Sequence, residues 1–577
     1  MPTNISCLNQ QVCTTPTWKQ TVLTVMAFLT LLMVLVLLSC TTGGSATDGP
    51  VVQTKNGPVR GINVREGQVF FGIPFAAPPT GDLRWRPPQP PKPWGPAIYN
   101  ATKRSPVCIQ YRCSPTDPDY SGQCPPPAER ERKEDCLYLN VFVPSTASPV
   151  SRKPVIFFIH GGNFDECSAM GLLYDGRFFA NKTDSVVVAA NYRIGSLGFL
   201  KAGTGKDAAR GNQGLLDQVA ALQWVQDNIA AFGGDENQVT LFGQSAGGYS
   251  VLFHLVNDES DKLFHKAIAS SAPTGLYFRN KLESIIFGND FAKILNCSAG
   301  DMKCMRAADV SKVRHAQGAV HNTVVNPLHI TEVFEPWGPI VDGDMITTQM
   351  VQSFSSGNFQ KKPLIIGSNT EEAVLFIYQA VSSPMSTNRY QQLVLAVFKT
   401  SAFSVLTKYP PTNKGDERPT LTTMATQFIF TCPTRNLLKS ALRHGHSNTW
   451  LYIFAHSISD DKVWGGYPYC KGRVCHSADL PFEFQPLTLF PDYSFTPEEQ
   501  VLADSMAYYY GNFAHTGNPN TPGTRQTSLS ANQVLNWPSF GSTKDYTNMV
   551  YNVPKNSVVQ GYLQDKCDFW DEENVYP

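Results

Sequence analysis

The segment VTLFGQSAGGYS, residues 239–250, joins an apolar, β-branched run to a serine set between two glycines. Directly after a strand, Gly243 and Gly247 let the backbone turn sharply into a helix, which forces Ser245 into a strained position with its hydroxyl exposed above a sheet. The helix that follows brings its N-terminal amides and dipole beside that hydroxyl. Such a turn needs a sheet to hold it, and the flanking sequence supplies one. From about residue 135, short apolar runs (LYLNVFV, PVIFFIH, SVVVAANY, VTLF) alternate with helix-sized stretches. One of these is NQGLLDQVAALQWVQDNIAAF, in which Leu215, Val219, Leu222, Trp224 and Val225 recur at near-helical spacing. Strands separated by helices predict an α/β fold with a large central, mostly parallel sheet and helices on both faces.

A serine hydroxyl is a poor nucleophile without a base, and the base needs an acid to hold its tautomer. On such a sheet the acid and then the histidine follow the serine, each in a loop after a strand. PLIIGSNTEEAVLF ends a strand near Gly367 and offers Glu371 and Glu372. WLYIFAH gives a later strand, and the loop beyond it, CKGRVCHSADLPFEF, carries His476 one residue after the pair Cys470 and Cys475. Charge that develops on the attacked carbonyl needs donors. PVIFFIHGGNF runs a strand into His160, Gly161 and Gly162, whose small size lets backbone N–H groups approach, and the Ala246 amide completes the set.

The termini and cysteines bear on compartment. Residues 1–20 read as a leader carrying only Lys19, and residues 21–39 as an uncharged apolar segment. That segment is long enough to serve as a single-pass anchor, with a cleaved signal peptide as the competing reading. Residues 40–50 form a linker, and residues 51–577 show no boundary that would split them into further domains. Fourteen cysteines are many for a reducing cytosol, and several sit in local pairs: Cys108 with Cys136, Cys113 with Cys124, Cys297 with Cys304, Cys470 with Cys475. Asn100, Asn181 and Asn296 open N-x-S/T sequons, which become glycosylation sites on an exported chain. An extracellular location follows, secreted or anchored.

Lys+Arg and Asp+Glu both number 47, without long charge runs, so there is no footprint for nucleic acid. No histidine or cysteine cluster is left for a metal once bridges are assigned, and no phosphate-cradling glycine loop follows the early strands, so neither metal nor cofactor is expected. The oligomeric state is not encoded in any feature of the sequence.

Several segments together carry a family resemblance: GIPFAAPPTGDLRW, EDCLYLNVFVP, NYRIGSLGF, VTLFGQSAGG, GPIVDGD, HSADLPFEF and NFAHTGNPN. Across nearly everything after residue 50 the chain resembles the type-B carboxylesterases, the cholinesterase-like branch of the α/β-hydrolases. The resemblance implies an ester hydrolase working through an acyl-enzyme, with Ser245 as nucleophile, His476 as base and Glu372, rather than Glu371, as acid. It implies oxyanion amides at Gly162, Asn163 and Ala246. It also implies bridges Cys108–Cys136, Cys297–Cys304 and Cys432–Cys567, leaving Cys167 as a buried thiol. Two departures bear on substrate. Asn163 stands where the family has a small residue, and Gln244 stands where it commonly has Glu. The aromatic residue that holds choline in cholinesterases has no counterpart in QCPPPAERERKEDC, so a small-molecule or lipid ester is expected rather than a choline ester. The competing function is a neuroligin-like adhesion ectodomain on the same fold. The loop between Cys108 and Cys136 is placed where a lid could lie.

Overall fold

The computed structural model describes residues 49–577 apart from 115–121, 490–493, 524–528 and 530–532. The leader, the apolar segment and most of the linker therefore lie outside the described residues, as does part of the Cys108–Cys136 loop. Among the described residues no helix is long and apolar enough to cross a membrane. Val51–Pro577 forms one compact unit.

Its centre is an eleven-stranded sheet. In chain order the strands are β1 (Ile62–Val64), β2 (Gly67–Pro74), β3 (Tyr138–Pro144), β4 (Lys153–Ile159), β5 (Val186–Ala190) and β6 (Gly234–Gln244). They continue as β7 (Lys266–Ser270), β8 (Leu364–Asn369), β9 (Thr449–Phe454), β10 (Thr547–Tyr551) and β11 (Ser557–Gln560). The spatial order is β11-β10-β9-β8-β7-β6-β4-β5-β3-β2-β1. From β10 through β9, β8, β7, β6 and β4 to β5 every pairing is parallel. Both margins are antiparallel, β11 on β10 at one end and β5-β3-β2-β1 at the other. The sheet is thus mostly parallel, as the alternation of strand and helix predicts, with antiparallel pairing confined to its margins, where β1–β2 and β10–β11 are joined by short connections that parallel pairing could not use.

Burial on both faces explains the unbroken apolar strands. Alternate residues of β4 divide between two cores. Val155, Phe157 and Ile159 meet α1 (Gln213–Asn228) through Leu215 and Leu222, and α2 (Ala246–Leu255) through Val251 and Leu252. Ile156 and Phe158 face the other way, against Leu502, Met506 and Tyr509. The proline-rich stretch 75–98 carries little regular structure and is pinned by its tryptophans. Trp85 is fully buried and donates to the Ser196 carbonyl at 2.9 Å, and Trp94 donates to the Pro58 carbonyl at 3.0 Å.

Among the described residues five disulfides are formed, Cys108–Cys136, Cys113–Cys124, Cys297–Cys304, Cys432–Cys567 and Cys470–Cys475, while Cys167 is a buried thiol outside these bridges. Such a set belongs to a chain that folds in an oxidising, extracytoplasmic compartment. Asn100, Asn181 and Asn296 are all exposed. The Cys432–Cys567 bridge spans 135 residues, the Cys297–Cys304 bridge 7. The loop-entropy relation assigns about 5 kcal/mol to the former and about 2 kcal/mol to the latter. Denaturant unfolding of Cys432→Ala/Cys567→Ala should therefore lose the larger amount. A loss no greater than that of the Cys297/Cys304 pair would show that the tail is held by packing alone.

Candidate active site

Ser245, Glu372 and the Gly162–Asn163 turn lie just beyond the carboxyl ends of parallel strands, the edge at which open α/β sheets place their ligands, and His476 lies in the longer loop after β9. The strand β6 ends at Gln244 and α2 begins at Ala246, so Ser245 alone makes the turn, with φ 61° and ψ −125°. That strained backbone is held by two hydrogen bonds, from the Ser245 amide to the Ser270 carbonyl at 2.9 Å and from the Tyr249 amide to the Ser245 carbonyl at 2.8 Å. The flanking glycines are required by contact. A Cβ on Gly243 would lie 2.2 Å from the Gly247 carbonyl oxygen, and one on Gly247 would lie 2.0 Å from that of Ile159.

Glu372 and His476 arrive from the segments after β8 and β9. Glu372 is fully buried. Its Oε1 accepts from the Asn369 amide at 2.7 Å and its Oε2 from His476 Nδ1 at 2.6 Å. With Nδ1 engaged as donor, Nε2 of His476 is left as an acceptor. It accepts at 3.3 Å from the Gln244 side-chain amide, which also donates to Ser477 Oγ at 3.0 Å. The rings of Phe376 and Phe430 flank the imidazole, with centroids 4.9 and 5.4 Å away. The Ser245 hydroxyl forms no hydrogen bond among the described residues, yet it lines the same cavity as His476. Glu371 has a separate task. It accepts from Arg473 Nη1 at 3.2 Å and from the Val474 amide at 2.9 Å, fastening the disulfide-closed loop that presents His476.

Three left-handed residues in succession, Gly162 (φ 97°), Asn163 (φ 55°) and Phe164 (φ 56°), fold the loop after β4 against this turn. Gly161 packs so closely that a Cβ there would stand 2.9 Å from that of Ser245. The amides of Gly162, Asn163 and Ala246 donate to no acceptor among the described residues. Below the loop, His160 is fully buried and stacks on Tyr192 with ring centroids 4.5 Å apart, and the Tyr192 hydroxyl donates to the His160 carbonyl at 3.0 Å. Burial lowers the His160 pKa to about 4, so this imidazole is a neutral prop at ordinary pH.

A further set of buried groups lies under His476. Asp479 accepts from Ser270 Oγ at 2.7 Å and from Asn369 Nδ2 at 3.4 Å. Burial first, and then the Glu372 carboxylate, push the Asp479 pKa up. Neither this network nor the Gln244 contact is legible from motif matching. The one available signal was the position of Asp479 three residues after the histidine, in HSADLPFEF.

Two cavities meet at Ser245 and Asn163. The first, about 90 Å³, is bordered by Arg112, Glu166, Trp464 and Tyr467 as well as by Gln244 and His476. Its aromatic wall, Trp464 and Tyr467, comes from a segment other than QCPPPAERERKEDC, which offers no ring for choline. That wall is already met by a cation. The Arg112 guanidinium lies 6.0 Å from the Tyr467 ring centre and pairs with Glu166 at 3.0 Å. The second cavity, about 100 Å³, is almost wholly apolar. Its walls are α3 (Ala373–Ala380), α4 (Thr387–Phe398), α5 (Arg418–Ala425) and the π-helical turn Thr426–Thr431, through residues such as Val394, Met424, Phe428 and Phe430.

A family model described as the carboxylesterase family matches residues 48–570. The chain belongs to the carboxylesterase family. The fold is accordingly the α/β-hydrolase fold. Among curated relatives of this carboxylesterase-family chain, the crystal protein of Dictyostelium discoideum is 36% identical over 524 residues, covering 90% of each chain. The cAMP-regulated D2 protein of the same organism is 35% identical over 509 residues, covering 87% of this chain and 91% of that one.

Replacing Gln244 by Glu tests the geometry around the base. A carboxylate within hydrogen-bond reach of Nε2 stabilises the imidazolium, so the acid limb of the kcat/KM profile of Gln244→Glu should move up by about one pH unit or more. An unmoved limb would mean that residue 244 does not face the imidazole in solution.

Proposed function

We propose that this chain hydrolyses carboxylic esters through an acyl-enzyme intermediate. Ser245 attacks the ester carbonyl while His476 Nε2 takes its proton, and Glu372 holds Nδ1–H and stabilises the resulting imidazolium. The amides of Gly162, Asn163 and Ala246 receive the oxyanion. His476 then returns the proton to the leaving alcohol, and a water molecule repeats the sequence to release the acid. The observation that carries this reading is the buried His476–Glu372 hydrogen bond at 2.6 Å, opening onto the cavity lined by Ser245.

The substrate is a general or lipid-type ester with one sizeable apolar limb. The second cavity offers such a limb an apolar wall on several sides. A choline ester is disfavoured, because the Tyr467 face in the first cavity is already taken by the Arg112 guanidinium, and Glu166 is paired with that guanidinium rather than free to attract a quaternary ammonium. The chain reaches its substrate outside the cell, either released or held by residues 21–39, with glycans on Asn100, Asn181 and Asn296. A series of nitrophenyl esters should show kcat/KM rising from acetate to longer acyl chains, with butyrate cleaved at least as well as butyrylcholine. A preference for the choline ester, or for acetate, would overturn the substrate reading. Failure of a fluorophosphonate to label the intact protein would overturn the hydrolase reading itself.

A further inference from the structure

The apolar cavity beside Ser245 contains one ionisable group. Glu335 lies in its wall and is only 8% exposed. Its carboxyl forms no hydrogen bond with any described residue, and Oε2 is sealed from solvent. An unpaired carboxyl in such surroundings carries a full desolvation penalty, and nothing in the fold relieves it. The groups that face it do not help. Asp165, in the loop after β4, is a second carboxyl whose own pKa is raised by burial and by Glu166, and Tyr192 and Tyr249 present phenols. The Arg279 guanidinium, which lines the adjoining cleft together with Glu335, is spent on Glu332 at 2.8 Å and on the Pro336 carbonyl at 2.7 Å.

Building on the ester-hydrolase reading above, we propose that Glu335 is a specificity-determining residue. In its protonated form it hydrogen-bonds an oxygen carried on the substrate's apolar limb, so that a hydroxylated or keto-substituted chain is selected over a plain alkyl chain of equal length. The carboxylic acid O–H donates to the substrate oxygen and the carbonyl of the acid can accept from a substrate hydroxyl, which satisfies the orphaned group. Burial, with Asp165 adding to it, pushes the Glu335 pKa up to about 8, so the donor form prevails at neutral pH. A plain alkyl limb leaves the carboxyl unpaired, and a site with an unmet polar group discriminates strongly against the substrate that cannot meet it.

The test compares kcat/KM for paired esters of one chain length, plain and carrying a hydroxyl or ketone at successive positions. The oxygen is placed on the acyl side in nitrophenyl esters and on the alcohol side in acetate esters. Rates are normalised to the fraction of protein labelled by a fluorophosphonate. Wild-type protein should favour the oxygenated partner in one of the two series by about tenfold or more at pH 7. The preference should vanish between pH 7 and pH 9 as the donor proton is lost. Glu335→Leu should abolish the preference, whereas Glu335→Gln, an amide donor without a titration, should keep it across that range. A ratio unchanged in Glu335→Leu, or the absence of a preferred oxygenated ester at every position, overturns the proposal. Either result obtained with labelled, active protein leaves the hydrolase reading standing, whereas unlabelled and inactive wild-type protein removes both.

Discussion

Ser245→Ala is expected to lose activity on nitrophenyl butyrate by a factor on the order of 10⁶ in kcat, because the nucleophile of a concerted set cannot be replaced by its partners. In that variant the substrate carbonyl would still meet the amides of Gly162, Asn163 and Ala246, so a slow rate above that of water, on the order of 10³-fold, should remain from charge stabilisation and binding. Adding His476→Ala to the serine variant should cost almost nothing more, since a base with no hydroxyl to deprotonate has no work left. Intact-mass measurement supplies the independent check. Wild-type protein should take up one fluorophosphonate per chain and Ser245→Ala none. Substantial turnover by the alanine variant would place the nucleophile elsewhere.

The second large effect belongs to Glu372→Gln. The carboxylate accepts two hydrogen bonds, from the Asn369 amide and from His476 Nδ1. A glutamine must turn its NH₂ toward one of these donors. If it faces the imidazole, the ring adopts the tautomer whose Nε2 carries the hydrogen and can no longer accept one from serine. Loss of kcat by about 10⁴-fold is the expected outcome, with the fold intact. The adjacent Glu371→Gln provides the control. That side chain touches Arg473 and Val474 rather than the imidazole, and its loss should be far smaller. Equal losses from the two variants would mean that the pair acts only by holding the loop.

The parts of the fold that were legible in the sequence are those set by short-range rules. The strand before Gly243 and the helix after Gly247 announce themselves in a dozen residues, and the apolar runs that became β3, β4, β5, β8 and β9 are continuous because both faces of the sheet are covered. The antiparallel margins were not legible, because pairing direction is fixed by connections between strands rather than by strand composition. Of the site, Ser245 follows from its turn and His476 from the disulfide loop, but Glu371 and Glu372 are indistinguishable by spacing, and only family likeness separated them. The buried hydrogen bonds now show that the two carboxylates face different partners. Asp479 and Glu335 escaped notice, and Gln244 stood out only as a departure from the family pattern without its contact to the imidazole, for a common reason. Each matters through what surrounds it in space, and their neighbours come from segments far away in the chain.

The Cys432–Cys567 bridge bears on the wall of the apolar cavity as well as on stability. It fastens the helix Gln564–Glu573, whose Trp570 packs on Phe428 with ring centroids 5.0 Å apart, and Phe428 is part of the apolar cavity's lining. The helix Gln564–Glu573 therefore buttresses one wall of the apolar cavity. Under the proposed ester-hydrolase reading, cutting the Cys432–Cys567 bridge should blunt chain-length selectivity before it touches the chemistry at Ser245.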